Sequence, residues 1–292
     1  MKSLKVLVTG ANGQLGMELR QLARDFSSIE FYFVSRNELA IEDEIAVNAL
    51  FVEQGFDWCI NCAAYTAVDK AESEQEQAFL INATAPGILA TICKAKKVGL
   101  IHISTDYVFD GNSSAPLTET SQVNPLSVYG ASKLAGERLV LQNNPASIIL
   151  RTSWVYSMFG KNFVKTMISL MKDRPTVKVV CDQTGSPTYA ADLAETIIKI
   201  IQSPKQQAGI YHYSNEGIIS WFDFAVAIKE RLGATCEVLP IPTAEYPTPA
   251  KRPVYAVMDK SKIRYVYDIS LRPRKESLHK CIGLLLQNQK LQ

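Results

Sequence analysis

Hydrophobic positions in the first half of the chain alternate between two textures. Short apolar runs, Leu4-Lys-Val-Leu-Val-Thr9, Ile29-Glu-Phe-Tyr-Phe-Val34, Trp58 to Cys62, Leu100 to Ser104 and Ser147 to Leu150, read as strands. Between them Gln14 to Phe26, Glu42 to Gln54, Glu74 to Lys96 and Val128 to Gln142 place apolar residues at helical spacing. Strands alternating with helices of this length require right-handed crossovers, which predicts an α/β fold with a doubly wound parallel sheet covered on both faces. After Arg151 the rhythm loosens into a helix from Asn162 to Met171, a strand Val177 to Val180, a helix from Ala190 to Ile201, a strand Ile210 to Tyr213 and a helix from Trp221 to Leu232. Pro240, Pro242, Pro247, Pro249 and Pro253 exclude a continuous helix or a central strand there and predict an ordered loop. At 292 residues the chain exceeds the usual single-domain length. The expected organisation is one large domain over 1–151 and a smaller C-terminal lobe over 152–292, with some elements returning to the main sheet.

The first predicted turn gives that sheet a chemistry. In Gly10-Ala-Asn-Gly13-Gln14-Leu15-Gly16, Gly10 permits the bend, Gly13 lets the backbone approach a pyrophosphate, and Gly16 lets the helix pack closely on the strand. The turn follows a strand and opens an amphipathic helix whose N-terminus faces the phosphates, the context expected of a Rossmann-type dinucleotide site. Ser35 and Arg36 at the end of the second strand favour the 2′-phosphate of NADPH, while Glu38 leaves NADH open. Asn61-Cys-Ala63-Ala64-Tyr65-Thr66 ends another strand with residues small enough for the backbone to lie along the cofactor, within reach of Tyr65 and Thr66.

Tyr129 and Lys133 stand four residues apart on a predicted helix and share a face. A phenol titrates near 10, so a neighbouring ammonium that stabilises phenolate makes it a better proton donor near neutrality. Lys133 can also hold the nicotinamide ribose. Thr105, in Ser104-Thr105-Asp106-Tyr107 at the carboxyl edge of the sheet, is the candidate hydroxyl for orienting a carbonyl oxygen. His102, His212 and His279 read as structural, and no Ser/His/Asp or metal constellation stands out.

Composition narrows the setting. Hydrophobic residues make up 47% and charged residues 21%, ordinary for a globular chain, and the net charge of +2 gives no reason to expect nucleic acid or an anionic membrane. The uninterrupted apolar runs are short for a membrane span, and Met1 to Lys5 lead directly into a strand, so a cytoplasmic protein is expected. Six scattered cysteines do not form a disulfide framework, and Cys59 and Cys62 should point to opposite faces of their strand. The oligomeric state, a homodimer included, is left open.

The motifs extend further than these sites. On Val8 to Gly16, Asn61 to Glu72, Ser104 to Gly111 and Tyr129-Gly-Ala-Ser-Lys-Leu-Ala-Gly-Glu137, then on Arg151 to Tyr156, Asn162 to Met167, Asp182 to Thr188 and Tyr246 to Pro253, the chain resembles the extended short-chain dehydrogenase/reductases nearly end to end. Within that group it is similar to those that reduce dTDP-4-keto sugars. The resemblance implies reduction of the C4 keto group of dTDP-4-dehydro-L-rhamnose to dTDP-L-rhamnose, for surface polysaccharide, with NADPH or NADH. It implies Tyr129 as proton donor, Lys133 as its partner and Thr105 as supporting hydroxyl. Thr105, Asp106, Tyr129 and Trp154 would contact the sugar nucleotide in the second lobe's cleft, and Arg252 would bind the diphosphate through a bidentate guanidinium.

Two departures qualify this. Leu39-Ala40-Ile41 stands where relatives carry an aspartate, so only packing by Ile41 carries over at the adenine end; Ala191 replaces a glutamate of some relatives, so no metal-bridged dimer is expected although Glu18 remains. A sugar-nucleotide epimerase or dehydratase of the same superfamily is the competing enzyme reading, and Tyr107 after Asp106, where dehydratases need glutamate, argues against it. A non-catalytic regulatory subunit of methionine adenosyltransferase is the competing reading of another class, and Tyr129, Lys133 and Thr105 weigh against it.

Overall fold

The structure is a computed structural model describing residues 3–290; Met1 and Lys2, read above as leading into the first strand, lie outside them. The first half runs β1 (Leu4–Thr9), α1 (Gln14–Leu22), β2 (Ile29–Val34), α2 (Glu44–Gln54), β3 (Trp58–Asn61), α3 (Val68–Ala71), α4 (Gln75–Phe79), α5 (Ala85–Lys96), β4 (Gly99–Thr105), α6 (Val128–Asn143) and β5 (Ile148–Thr152). The second runs β6 (Val155–Tyr156), α7 (Phe163–Asp173), β7 (Thr176–Val180), β8 (Thr184–Gly185), β9 (Thr188–Tyr189), α8 (Ala190–Gln202), β10 (Gly209–His212), β11 (Ile219–Ser220), α9 (Trp221–Leu232), β12 (Glu237–Ile241), α10 (Ser261–Tyr267) and α11 (Arg274–Lys290).

Six strands form a parallel sheet in the order β10-β5-β4-β3-β1-β2. Alternation along each strand divides the core: Val6 and Val8 pack with Leu19, Leu193 and Ile197, whereas Leu7 packs with Val47, Phe51 and Leu89. Thr9 pairs with both Val34 and Asn61, Asn61 with His102, and Thr105 with Thr152. This level register brings the turns after β1, β2, β3, β4 and β5 to one edge. The strand order reverses direction between β1 and β3, where doubly wound sheets open a crevice for ligands.

Local chemistry fixes the helices that border that edge. Ser127 caps α6 by accepting from Gly130 N–H, Asn162 caps α7 through Lys165 N–H, and Ser220 with Asp223 forms a capping box on α9. A separate core of Tyr156, Met167, Val177, Tyr189, Phe224 and Leu278 joins α7, α9 and α11, while α8 and β10 return to the main sheet.

Two elements differ from their sequence patterns. Glu74 to Lys96 reads as one helix but widens into a π turn at Leu80–Thr84, where Pro86 has no N–H to offer the preceding turn. Pro240 lies within β12, which among the described residues pairs only with β7; at such an edge a missing N–H is tolerated. The helical run Gln75–Lys96 is also long and apolar enough to cross a bilayer, unlike the short contiguous runs, yet 61% of its most apolar window is buried inside the protein.

Candidate active site

The aligned turns surround a cavity of about 1070 Å³. Gly10, Gly13, Gln14, Leu15, Gly16, Ser35, Arg36, Ile41, Ala63, Ala64, Tyr65, Thr66, Thr105, Asp106, Tyr129, Lys133 and Trp154 all line it. The glycine turn behaves as its spacing requires: Gly10 has φ +65°, and a Cβ there would lie 2.6 Å from Ala63 N. No side chain caps α1, which leaves its first-turn amides open to phosphate oxygens. The turn, the uncapped helix and the two alanines fit a dinucleotide's pyrophosphate.

Around the second strand the charges are already engaged. Glu38 accepts from Ser35 N–H at 2.7 Å and Ser35 Oγ at 2.6 Å, bonds that hold its carboxyl below the usual range. Arg36 is exposed and lies 3.4 Å from Glu42, which also lines the cavity. The opposite wall is tied by Asn82 on the π turn: its Oδ1 accepts from Tyr65 N–H at 2.8 Å, and its Nδ2 donates to Tyr65 O and Ser132 Oγ. Tyr65 lends this wall its backbone, its hydroxyl donating to Glu74 at 2.7 Å.

At the chemical end, Thr105 Oγ1 accepts from Tyr107 N–H at 3.3 Å and donates to Asp106 Oδ1 at 3.0 Å. Asp106 is buried and its Oδ2 has no partner. Burial pushes its carboxyl up to about 7, against the opposing hydrogen bond from Thr105. The Tyr129 ring packs edge-on to Tyr107 at 5.5 Å. The spacing predicted that Lys133 would hold the Tyr129 phenol down; instead burial pushes it up to about 12, opposed by hydrogen bonding with Thr105, and Lys133 does not figure among the influences. The Lys133 ammonium donates to Ile103 O at 2.7 Å, and burial draws it down to about 8.

Arg252 does not line the cavity. Its guanidinium makes a fork with Asp69, at 2.8 and 3.1 Å, and also donates to Thr248 and Ala250, so the diphosphate role drawn from resemblance has no open guanidinium behind it in this state. Glu18 is buried and accepts from Ser157 Oγ at 2.5 Å, and no cluster of three or more potential metal ligands occurs among the described residues. Cys59 and Cys62 contribute to opposite cores, as the strand period predicts.

Trp221 is a lining residue that the sequence reading missed. It stacks on Trp154 with ring centroids 3.5 Å apart and planes 9° from parallel. Trp154 has φ +47°, a left-handed conformation that costs a bulky residue energy, and a Cβ on Gly185 would come 2.8 Å from its indole. The available signal was a tryptophan directly after the Ser220 cap, in the first turn of a helix beside the cleft. Phe163, Gly160 and Lys161 complete this wall.

The chain is similar to known proteins over most of its length. The family model described as RmlD substrate binding domain matches residues 4–286. A dTDP-4-dehydrorhamnose reductase from Aggregatibacter actinomycetemcomitans is 42% identical over 275 residues, spanning 91% of this chain and 94% of that one. The crystal structure of a dTDP-4-dehydrorhamnose reductase from Clostridium acetobutylicum superposes with a TM-score of 0.93 at 43% identity, covering 97% of this chain and 100% of that one. One from Bacillus anthracis, solved in complex with NADP, gives the same TM-score and coverages at 38% identity. The chain belongs to the dTDP-4-dehydrorhamnose reductase family.

Proposed function

We propose that the protein is an NADPH-dependent oxidoreductase that reduces the C4 keto group of dTDP-4-dehydro-L-rhamnose to the alcohol of dTDP-L-rhamnose. The observation that supports this most is the convergence of the glycine turn with Thr105, Tyr129 and Lys133 on one cavity. Gly10 to Gly16, Ala63 to Thr66 and Lys133 would hold NADPH, whose chemistry when bound would be hydride donation to the C4 carbonyl. Ser35 and Arg36 face the adenosine end, where Arg36 can pair with a 2′-phosphate.

The chain supplies the proton and the geometry. With its phenol raised to about 12, Tyr129 is fully protonated at neutral pH and can give its proton to the carbonyl oxygen as charge develops there. Thr105 donates a second hydrogen bond toward that oxygen once it turns from Asp106, while the Lys133 ammonium, anchored at Ile103 O, is placed to hold the nicotinamide ribose. Asp106, with an unengaged oxygen, accepts from a sugar hydroxyl. Trp154 presents its indole to the sugar. Purified protein should oxidise NADPH stoichiometrically with the 4-keto sugar nucleotide. Tyr129→Phe should lower kcat by roughly 10²–10⁴-fold while leaving NADPH affinity nearly unchanged. Interconversion of sugar nucleotides without net NADPH oxidation would overturn the assignment in favour of an epimerase.

A further inference from the structure

Behind the reacting groups lies a buried ion pair that the proposed chemistry does not use. Glu137 follows Lys133 by four residues and Tyr129 by eight, so all three lie along one side of α6. Its Oε1 accepts from Ser104 Oγ at 2.6 Å and from Arg151 Nε at 2.8 Å, and its Oε2 accepts from Arg151 Nη2 at 2.7 Å. The two side chains are only 2% and 3% exposed. Ser104 immediately precedes Thr105 on β4, and Arg151 lies on the neighbouring β5, its guanidinium 5.1 Å from the Phe109 ring centre.

Desolvating two charges offsets most of what their attraction returns, so such a pair is a poor source of stability compared with apolar packing. Its geometry has another consequence. The carboxylate joins the helix bearing Tyr129 and Lys133 to the strand end bearing Thr105 and to β5, through three short bonds with fixed directions. We propose that Glu137 is a positioning residue of the reduction: it pins the Tyr129–Lys133 side of α6 to the Thr105 strand and supplies the negative charge that keeps buried Lys133 an ammonium. This rests on the reductase reading above.

The surroundings of Lys133 support the second role. Glu137 and Tyr129 stand near it on its own helix, Cys62 faces it from the end of β3, and His102 faces it from β4, where burial and the ammonium hold the imidazole neutral. Burial draws Lys133 down, and Glu137 is the strongest influence opposing that, ahead of Cys62. Without the carboxylate the ammonium loses its proton at lower pH.

The test follows kcat/KM of NADPH-saturated enzyme with dTDP-4-dehydro-L-rhamnose across pH, for wild type, Glu137→Gln and Ser104→Ala. In Glu137→Gln the loss of activity on the alkaline side should move down by about one pH unit, with kcat reduced roughly tenfold. Ser104→Ala keeps the ion pair and cuts the link to β4, so kcat should fall roughly threefold to tenfold with the alkaline limb unmoved. An unmoved limb in Glu137→Gln, or an unchanged kcat in Ser104→Ala, would overturn the proposal. Should Glu137→Gln fail to fold with Arg151 left unpaired, the double variant Glu137→Gln/Arg151→Met removes the buried cation as well; its limb should then move much less while kcat still falls roughly tenfold, and a wild-type kcat in it would overturn the proposal. Wild-type protein inactive on this substrate would overturn the reductase reading itself, whereas the variants of an active enzyme bear on Glu137 alone.

Discussion

Replacing Asp106 with asparagine should make the protein more stable at alkaline pH relative to wild type than at acidic pH. Its carboxyl rises from 3.8 to about 7 in the folded state, chiefly through burial. Between those values the native protein holds a proton that the unfolded chain has released, so rising pH favours unfolding. The penalty begins near the unfolded value and is complete above the folded one. At 1.36 kcal/mol per unit, the full shift corresponds to on the order of 4 kcal/mol. Water reaching the carboxylate through the cavity makes this an upper bound. Asparagine has nearly the same shape and no charge to desolvate, but its amide brings a donor to the place of the unpartnered Oδ2, at a cost of about 1–3 kcal/mol that does not vary with pH. The diagnostic quantity is therefore the change in ΔΔG with pH. Urea denaturation of both proteins without cofactor at pH 5 and pH 8 should show a swing of about 3 kcal/mol toward the variant. A ΔΔG constant to within about 0.5 kcal/mol would refute the reasoning, because a carboxylate that ionises freely in the native state has no such penalty. The variant should also lose turnover, which would make Asp106 a site where stability is given up for sugar binding.

Arg36→Ala should weaken NADPH binding by roughly tenfold and NADH binding much less, because only NADPH carries a phosphate for the guanidinium; equal losses in fluorescence titrations would remove the basis for the preference. Trp221→Ala should raise KM for the sugar nucleotide roughly tenfold with little change in NADPH affinity, since Trp154 would lose the ring that holds it in its left-handed conformation. An unchanged KM would show that Trp154 holds its place without the stack.

The cofactor half of the cavity was legible because its determinants are local. Gly10, Gly13 and Gly16 specify their turn within seven residues, and the apolar run before them specifies the strand that aims it. Thr105, Tyr129 and Lys133 could be placed because strand ends and helix faces follow from simple periods. The remaining features depend on partners far along the chain. Arg252 and Asp69 are separated by 183 positions, and no periodicity announces that their charges meet. Trp221 looks like an ordinary first-turn residue until the pairing of Ile219 with Gly185 brings its helix beside Trp154. Glu137 was visible as the end of a motif, but its link to Ser104 requires the packing of α6 on β4. Pro240 misled in the other direction, since its exclusion from central strands does not extend to an edge.

Asn82 gives the enzyme an unusual mechanical economy. One buried amide clasps both backbone groups of Tyr65 and reaches Ser132 on α6, while the backbone carbonyl of Asn82 lies where a Cβ on Gly136 would approach to 2.0 Å. The Tyr65 segment of the cavity wall and α6 are therefore tied to each other through one side chain. Separating the two leaves a buried amide and the backbone groups of Tyr65 without partners, which costs more than the loss of a solvent-exposed hydrogen bond.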